Sequence, residues 1–584
     1  GDLYPDAADG ASTVELSSSL DRDLGFDSLG RMELLLRIEA ATGLVLPAET
    51  LETAETVGDF WQAVQRGRPQ TVPRAVRPGV QSAPVASPTA GPDGVGADKA
   101  RTLLEVLDHH VAVHPDQVQI IYLADDTETP ITYRQLRDES SALAAGLQRA
   151  GLRPRQTVAI MLPTSPGYFF TYLGILRAGG IPVPIYPPAR PSQLEDHVKR
   201  HTGILANAQA TLLVSVPEAM QVARLLQARV PGLRGLHTPQ ALIATGRGCA
   251  PEAVAVGADD VAFIQYTSGS TGQPKGVALT HANLLANIRA MATAIEATAD
   301  DVFVSWLPLY HDMGLLMIMF PALSGGYLTL MSPLAFVRRP SRWIAQLGAH
   351  AEVGRTFAAA PNFAFELAAQ RGLPAPGEKL DLSNVAGLIN GSEPVNMASV
   401  QKFTDAFAPY GLSPNVVRPS YGMAEATLFV STIEPGTVAR VLHLDRDKLG
   451  SGVAEEVSPD APEAVALVSC GRVARSQWAV IVDPQTEAEL SDGRVGEIWL
   501  HGDNIGRGYW RRTAETRDTF GNKLQSRLSA GSHAEGSAVG GTWLRTGDLG
   551  VYLDGELYIT GRIKDLVIVD GRNHYPQDIE ATVA

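Results

Sequence analysis

Cysteine is nearly missing from this chain of 584 residues: Cys249 and Cys470 are the only two, and they lie far apart. That excludes a disulfide scaffold and any cysteine-based metal cluster, and it points to a reducing, cytoplasmic setting. Basic residues are also short. Lys and Arg number 48 against 63 Asp and Glu, a formal net charge of −15. Nucleic acid binding needs a basic surface, so no nucleic-acid partner is expected. Long uncharged runs are scarce too. One of bilayer length, Met313 to Val337, is cut by Pro321, Gly325, Gly326 and Pro333 into pieces of helix and strand size. It reads as a buried core or pocket element, not an integral membrane span. The chain has no initiating Met and no charged-then-apolar leader, and it stops at "IEATVA" just after an apparent helix start, so both ends read as cut.

What remains is ordinary for a soluble globular protein, with 45% hydrophobic and 19% charged residues. So long a chain needs several cores. A boundary is visible at residues 69–98, "PQTVPRAVRPGVQSAPVASPTAGPDGVGAD", with six prolines and few large apolar groups. This composition makes an extended linker. It separates a unit at 1–68 from a larger one starting at 99.

The larger unit alternates helix and strand signals. Thr132 and Gln135 form a capping box ahead of Leu136, Leu143 and Leu147, and Gly151 supplies a helix stop. Thr157 to Leu162 reads as a buried strand. The alternation returns at "AFIQYTSG" followed by "THANLLANI". An α/β fold with largely parallel strands is expected.

In the short unit, "LDRDLGFDSLGRMELLLRIEAATG" places Ser28 at the start of a helix whose Leu29, Met32, Leu35 and Leu36 share one face, with Gly43 as its stop. A serine there serves as a plain cap; the positive helix end also suits a phosphate ester on its hydroxyl. The stretch resembles the prosthetic-group motif of acyl and peptidyl carrier proteins over about residues 12–66, including a closing helix around Val57, Phe60, Trp61 and Val64. The resemblance implies that Ser28 carries 4′-phosphopantetheine, attached by a phosphopantetheinyl transferase. Residues 15–60 hold ten Asp or Glu and three Arg, 3 − 10 = −7, an acidic face suited to basic partners. Carrier domains open with a long helix, and too little chain precedes Ser28 to contain it.

The stretch "YTSGSTGQPKGV" has the glycines, hydroxyls and lysine of a phosphate loop, yet Pro274 precedes Lys275 where the common P-loop has glycine. It resembles instead the phosphate loop of the acyl-adenylate-forming superfamily. There the backbone N–H groups of Thr267, Ser268, Gly269, Ser270, Thr271 and Gly272 would approach the ATP phosphates, with Lys275 completing the grip. Four further motifs follow in family order. "WLPLYHDMGL" makes His311 the gate of the acid pocket, with Asp312, Met313 and Gly314 beside it. "INGSEPV" puts Gly391, Ser392 and Glu393 near adenine. "RPSYGMAEATL" gives Ser420, Tyr421, Gly422, Met423 and Ala424 to the nucleotide, Tyr421 stacking on the base, and Glu425 to Mg²⁺. "LRTGDLG" sets Asp548 on the ribose hydroxyls, with Arg562 of "TGRIKDLV" nearby. His311, Lys275 and Glu425 are the residues implied in catalysis.

Several words, among them "APNFAFEL" and "GRIKDLVIVDGRNHYPQDIE", resemble the fatty acyl-AMP ligase branch. Ala424 and Ile568 stand where many relatives have Thr and Lys. A branch-specific insertion would fall near Ala368 to Gly387. The implied activity is ATP-dependent activation of a medium- or long-chain fatty acid and its transfer to a carrier thiol, in cis or in trans. Residues 99–562 would form the large adenylate-forming domain and 563–584 the start of a truncated mobile domain with its hinge at Lys564. The family's catalytic lysine belongs to that domain, and no residue of this chain matches it. Acyl-CoA synthetase and amino- or aryl-acid adenylation domain are the alternatives, the second kept open by Asp312, which matches where amino-acid-activating relatives hold an ammonium. A carrier-linked binding module without turnover is a reading of another class.

Overall fold

The fold comes from a computed structural model that describes residues 15–18, 20, 34, 38, 42, 44–46, 50, 54–69, 99–124, 127–188, 194–267, 274–319, 325–565, 567–569 and 572–574. Ser28, most of the residues around it, most of the Pro-rich stretch and residues 268–273 lie outside them. In the N-terminal unit, helix α1 (Val57–Arg66) starts on a capping box in which Thr56 and Asp59 satisfy each other's backbone. Phe60 and Ala63 pack with Leu20, Leu46 and Ala54, while Val57 and Val64 line the edge. Trp61, expected among the closing helix's apolar residues, points outward and is 56% exposed. At about 100° per residue Trp61 lies well round the helix from the buried Ala63 and Phe60, next to the partly buried Val57 and Val64.

The large unit opens with helix α2 (Leu103–Val113), then strands β1 (Val118–Ala124) and β2 (Thr127–Thr132). Helix α3 (Tyr133–Arg149) begins on the expected Thr132–Gln135 capping box, buries Leu136, Leu143 and Leu147, and is followed by Gly151 at φ 89°. Strand β3 (Thr157–Met161) is buried at every position. Helix α4 (Pro166–Arg177), β4 (Ile181–Pro184), α5 (Leu194–Ala208), β5 (Leu212–Ser215) and β6 (Gly235–His237) complete a parallel sheet of order β4-β3-β5-β6.

Next come β7 (Val261–Thr267) and β8 (Lys275–Thr280), then helix α6 (His281–Ala294), capped by Thr280 and Asn283. The sequence pattern suggested a strand feeding directly into this helix. The structure inserts β8, which pairs antiparallel with β7 from Lys275↔Thr267 to Thr280↔Val261. Strand β8 thus runs back beside β7, and the backbone groups of both strands pair with each other before the helix begins.

The largest sheet takes in β9 (Val302–Ser305), β10 (Tyr327–Met331), β11 (Thr356–Ala360), β12 (Val385–Asn390), β13 (Val417–Gly422), β14 (Phe429–Thr432) and β15 (Arg472–Val473). Among the described residues its order is β15-β14-β13-β12-β11-β9-β10-β1-β2, parallel from β13 to β1 and antiparallel at both edges. The sheets are therefore mixed. Its central strands β9, β10 and β11 are buried at every position and mainly apolar, as a parallel sheet covered on both faces requires, with Ser305, Thr329 and Thr356 the polar exceptions. The uncharged run at Met313 breaks as its prolines and glycines imply, into a π-helical segment (Met313–Met319), β10 and a short helix (Pro333–Arg338). Among the described residues no helix is long and apolar enough to cross a membrane. An antiparallel sheet follows, formed by β16 (Gln477–Val482), β17 (Gly496–Gly502), β18 (Leu544–Leu553) and β19 (Glu556–Arg562).

Candidate active site

Strands β13, β12, β11 and β9 are parallel neighbours, so their C-terminal ends share one edge of the largest sheet. Loops leaving such an edge build the ligand crevice of α/β sheets. Here they carry His311 to Gly314, Gly391 to Glu393 and Met423 to Glu425. Gly391 to Glu393 follow β12, and a Cβ on Gly391 would come 3.2 Å from the Ser420 carbonyl of β13. Ser392 adopts φ 72° and its hydroxyl donates to the sulfur of Met313 at 3.0 Å, joining this turn to the loop after β9. Glu393 accepts the Phe363 N–H at 2.8 Å, which caps the helix at Asn362–Arg371. Ser420 donates to Thr432 of β14 at 2.7 Å, so its hydroxyl serves the sheet.

The turn after β13 is tight. A Cβ on Gly422 would lie 1.9 Å from the Leu428 carbonyl, and the Met423 N–H donates to that same carbonyl at 2.8 Å. Only glycine fits, and the closure fixes where Ala424, buried, and Glu425, half-buried, must sit. Tyr421 donates its phenol to Asp548 Oδ2 at 2.7 Å, and the Arg562 Nε donates to Asp548 Oδ1 at 3.1 Å. Asp548 and Arg562 face each other across the β18–β19 pairing. Burial pushes the Asp548 pKa up, against the opposing pull of Tyr421 and Arg562.

A second constellation centres on Glu425. Tyr509 donates its phenol to Glu425 Oε1 at 2.8 Å. Lys275, first residue of β8, holds its ammonium 4.8 Å from the centre of the Tyr509 ring. Burial raises the Glu425 pKa above its ordinary value, Tyr509 pulls it down, and the charges of Asp312 and Asp548 add to the rise. The charges of both Asp312 and Asp548 thus reach Glu425.

The loop after β9 supplies His311, half exposed, whose Nδ1 lies 2.9 Å from Asp312 Oδ1. Asp312 also accepts the Met313 N–H at 2.7 Å. Burial works against the charged imidazole, but the neighbouring carboxylate outweighs it and the His311 pKa is raised. Asp312 is thus committed to His311. Gly314 allows a close approach, since a Cβ there would meet the Pro308 carbonyl at 2.3 Å. Leu315 and Leu316 are wholly buried and serve as core packing.

Thr267 and Lys275 face each other at the end of the β7–β8 pairing next to the 268–273 connection, and the Thr267 hydroxyl donates to the Lys275 carbonyl at 3.4 Å. Ser268 to Gly272 lie outside the described residues. Lys564 is exposed in the short turn after β19. Sequence reasoning missed Tyr509 and its neighbours. Their signal was "GRGYW", glycines followed by aromatics.

The chain matches the model of the AMP-binding enzyme family over residues 107–510 and that of the phosphopantetheine attachment site over residues 8–64. It is 47% identical to the long-chain-fatty-acid–AMP ligase FadD32 of Mycobacterium marinum over 461 residues, 78% of this chain and 72% of that protein. It is 38% identical to the long-chain-fatty-acid–AMP ligase FadD26 of the same organism over 504 residues, 83% of this chain and 82% of that one. A solved fatty acyl-adenylate ligase from L. pneumophila, in complex with acyl adenylate and pyrophosphate, superposes with a TM-score of 0.71 at 32% identity, covering 83% of this chain and 81% of that one. With the family model matched over residues 107–510 and these relatives covering more than three quarters of the chain, it belongs to the AMP-binding enzyme family, among the fatty acyl-AMP ligases.

Proposed function

We propose that the protein activates a medium- or long-chain fatty acid with ATP and passes the acyl group to a phosphopantetheine thiol. One observation carries this reading: Tyr421, Asp548 and Arg562 on one side, and Lys275 and Glu425 on the other, converge at the C-terminal edge of the large sheet. In the first step a carboxylate oxygen of the acid attacks the ATP α-phosphorus, the bond to the bridging oxygen breaks, and pyrophosphate leaves with that electron pair. In the second step the thiol attacks the acyl carbonyl and AMP departs.

Each residue has a part. Tyr421 faces the adenine, and Asp548 accepts from the ribose hydroxyls with Arg562 beside it. Gly391 to Glu393 and Ser420 to Ala424 border the base. Lys275 and the backbone of Thr267 to Gly272 hold the outer phosphates. His311 closes the acid pocket, with Asp312 fixing its ring and Met313 and Gly314 forming the wall. Buried methylenes of the acyl chain each contribute about 0.8 kcal/mol.

Glu425 suits a Mg²⁺ ion: it offers a hard carboxylate oxygen, and water and phosphate complete such sites. Burial raises its pKa and the charges of Asp312 and Asp548 add to that rise, a cost to the carboxylate that a bound divalent cation would relieve. When bound, Mg²⁺ offsets charge on the phosphate oxygens.

In this reading Ser28 bears the arm, a phosphopantetheinyl transferase attaches it, and residues 69–98 tether it to a synthetase domain at 99–562. Residues 563–584 begin a mobile domain that turns at Lys564. The acceptor is either this carrier in cis or a separate carrier in trans. Two free cysteines suit a cytoplasmic enzyme. Pyrophosphate release measured against a panel of acids tests the reading. Fatty acids from octanoate to stearate are expected to give the fastest release; a preference for amino or aryl acids overturns it.

A further inference from the structure

Residues 506–512 touch both halves of the site. The Gly506 N–H donates to the Glu425 carbonyl at 2.9 Å. The next residues pair with β8: Arg507 N–H to the Ala278 carbonyl at 3.0 Å, Ala278 N–H to the Gly508 carbonyl at 2.9 Å, and Trp510 N–H to the Gly276 carbonyl at 2.6 Å. One short segment therefore bonds the backbone of the metal-motif turn and of the strand leaving the phosphate loop.

Tyr509 repeats this with its side chain. Its ring lies beneath the Lys275 ammonium and its phenol holds Glu425. The ring itself is fixed. Phe520 packs edge-on at 5.2 Å, and Thr516 accepts the Tyr509 N–H at 2.9 Å while donating to its carbonyl at 3.2 Å. Gly508 makes the approach of Thr516 possible, having φ 124° and room for no Cβ, which would sit 2.2 Å from Thr516 Cγ2.

Lys275 and Glu425 carry opposite charges, yet among the described residues they form no direct ion pair; each uses a different part of one tyrosine. A direct pair would have to break before phosphate and cation could enter. A cation on an aromatic face is held more loosely than one on a carboxylate and is released to phosphate readily. The phenol engages Oε1 of Glu425, so it does not compete for Oε2, the oxygen this reading gives to a metal.

We propose that Tyr509 is the positioning residue that registers the phosphate-loop lysine against the metal-binding carboxylate and keeps the two charges from neutralising each other. This rests on the ATP and Mg²⁺ reading given above.

Calorimetric titration of ATP into the intact chain, once with Mg²⁺ and once with EDTA, tests it. Wild-type protein is expected to bind in both, more tightly with Mg²⁺. Y509F keeps the ring, so its affinity in EDTA stays within about twofold, while the gain on adding Mg²⁺ falls about tenfold. Y509L removes both contacts and weakens binding in both conditions. In an E425Q background, Tyr and Phe at 509 become equivalent. Y509F matching wild type in both conditions, or losing affinity equally in both, overturns the proposal, the second result marking a purely structural ring. Thermal unfolding of Y509F within a few degrees of wild type guards against a folding defect, and this variant decides the matter even if Y509L does not fold. If wild-type protein binds no ATP, or E425Q keeps the full Mg²⁺ gain, the ATP and metal reading itself is overturned and the proposal falls with it.

Discussion

The phenol of Tyr421 donates to Asp548 Oδ2 at 2.7 Å, although the two residues are 127 positions apart. That bond ties β13 of the large parallel sheet to β18 of the antiparallel one. It also puts the proposed base-stacking and ribose-binding groups in one rigid frame. Removing the donor leaves a buried carboxylate with one partner fewer. Y421F is expected to lower stability by about 1–3 kcal/mol, read from the midpoint of urea unfolding, and to weaken ATP binding. Unchanged stability and affinity would show that the bond positions nothing.

His311 and Asp312 make stability depend on pH in a defined direction. The His311 pKa is raised from 6.5 by Asp312, so its contribution is complete below the unfolded value and is lost as pH rises through the folded one. Asp312 is lowered from 3.8, so its contribution is present above that value and lost as pH falls through the folded one. The pair stabilises most between these limits. The stability difference between wild type and H311A should therefore shrink from ~pH 6 to ~pH 9. A difference that grows with pH contradicts the assigned pairing.

Gly422 tests how closely the turn after β13 is built. A methyl group there would meet the Leu428 carbonyl at 1.9 Å, so the backbone must shift and carry Glu425 with it. G422A is expected to cost about 1–3 kcal/mol and to reduce pyrophosphate release more than its stability loss explains. Wild-type behaviour in both would mean the turn relaxes freely.

The carrier reading is checked by mass. Treatment with a broad phosphopantetheinyl transferase is expected to add one arm to the wild-type chain and none to S28A. With the arm in place, the linker at 69–98 spans of order 30 Å if flexible. Self-acylation should then proceed at a rate independent of protein concentration, with free coenzyme A competing weakly. A rate that climbs with concentration assigns the transfer to separate chains. Acyl-CoA as the dominant product at millimolar coenzyme A favours a synthetase.

Several features were legible in sequence because their causes are local. The Thr132–Gln135 capping box, the buried strand at Thr157, the Gly151 stop and the broken apolar run after Met313 each depend on a few adjacent residues and their backbone preferences. The motif words picked out Lys275, Tyr421, Glu425 and Asp548 as candidates, which remain proposals. Only the tertiary structure decided how they meet. Strand order brought β12 beside β13, register set Asp548 opposite Arg562, and the hairpin return of β8 delivered Lys275 to Tyr509. It also gave Ser420 to β14 and Glu393 to a helix end, and it turned Trp61 outward. Those outcomes depend on which distant surfaces pack together, a balance of burial and hydrogen bonding summed over the whole core that no short window of sequence contains.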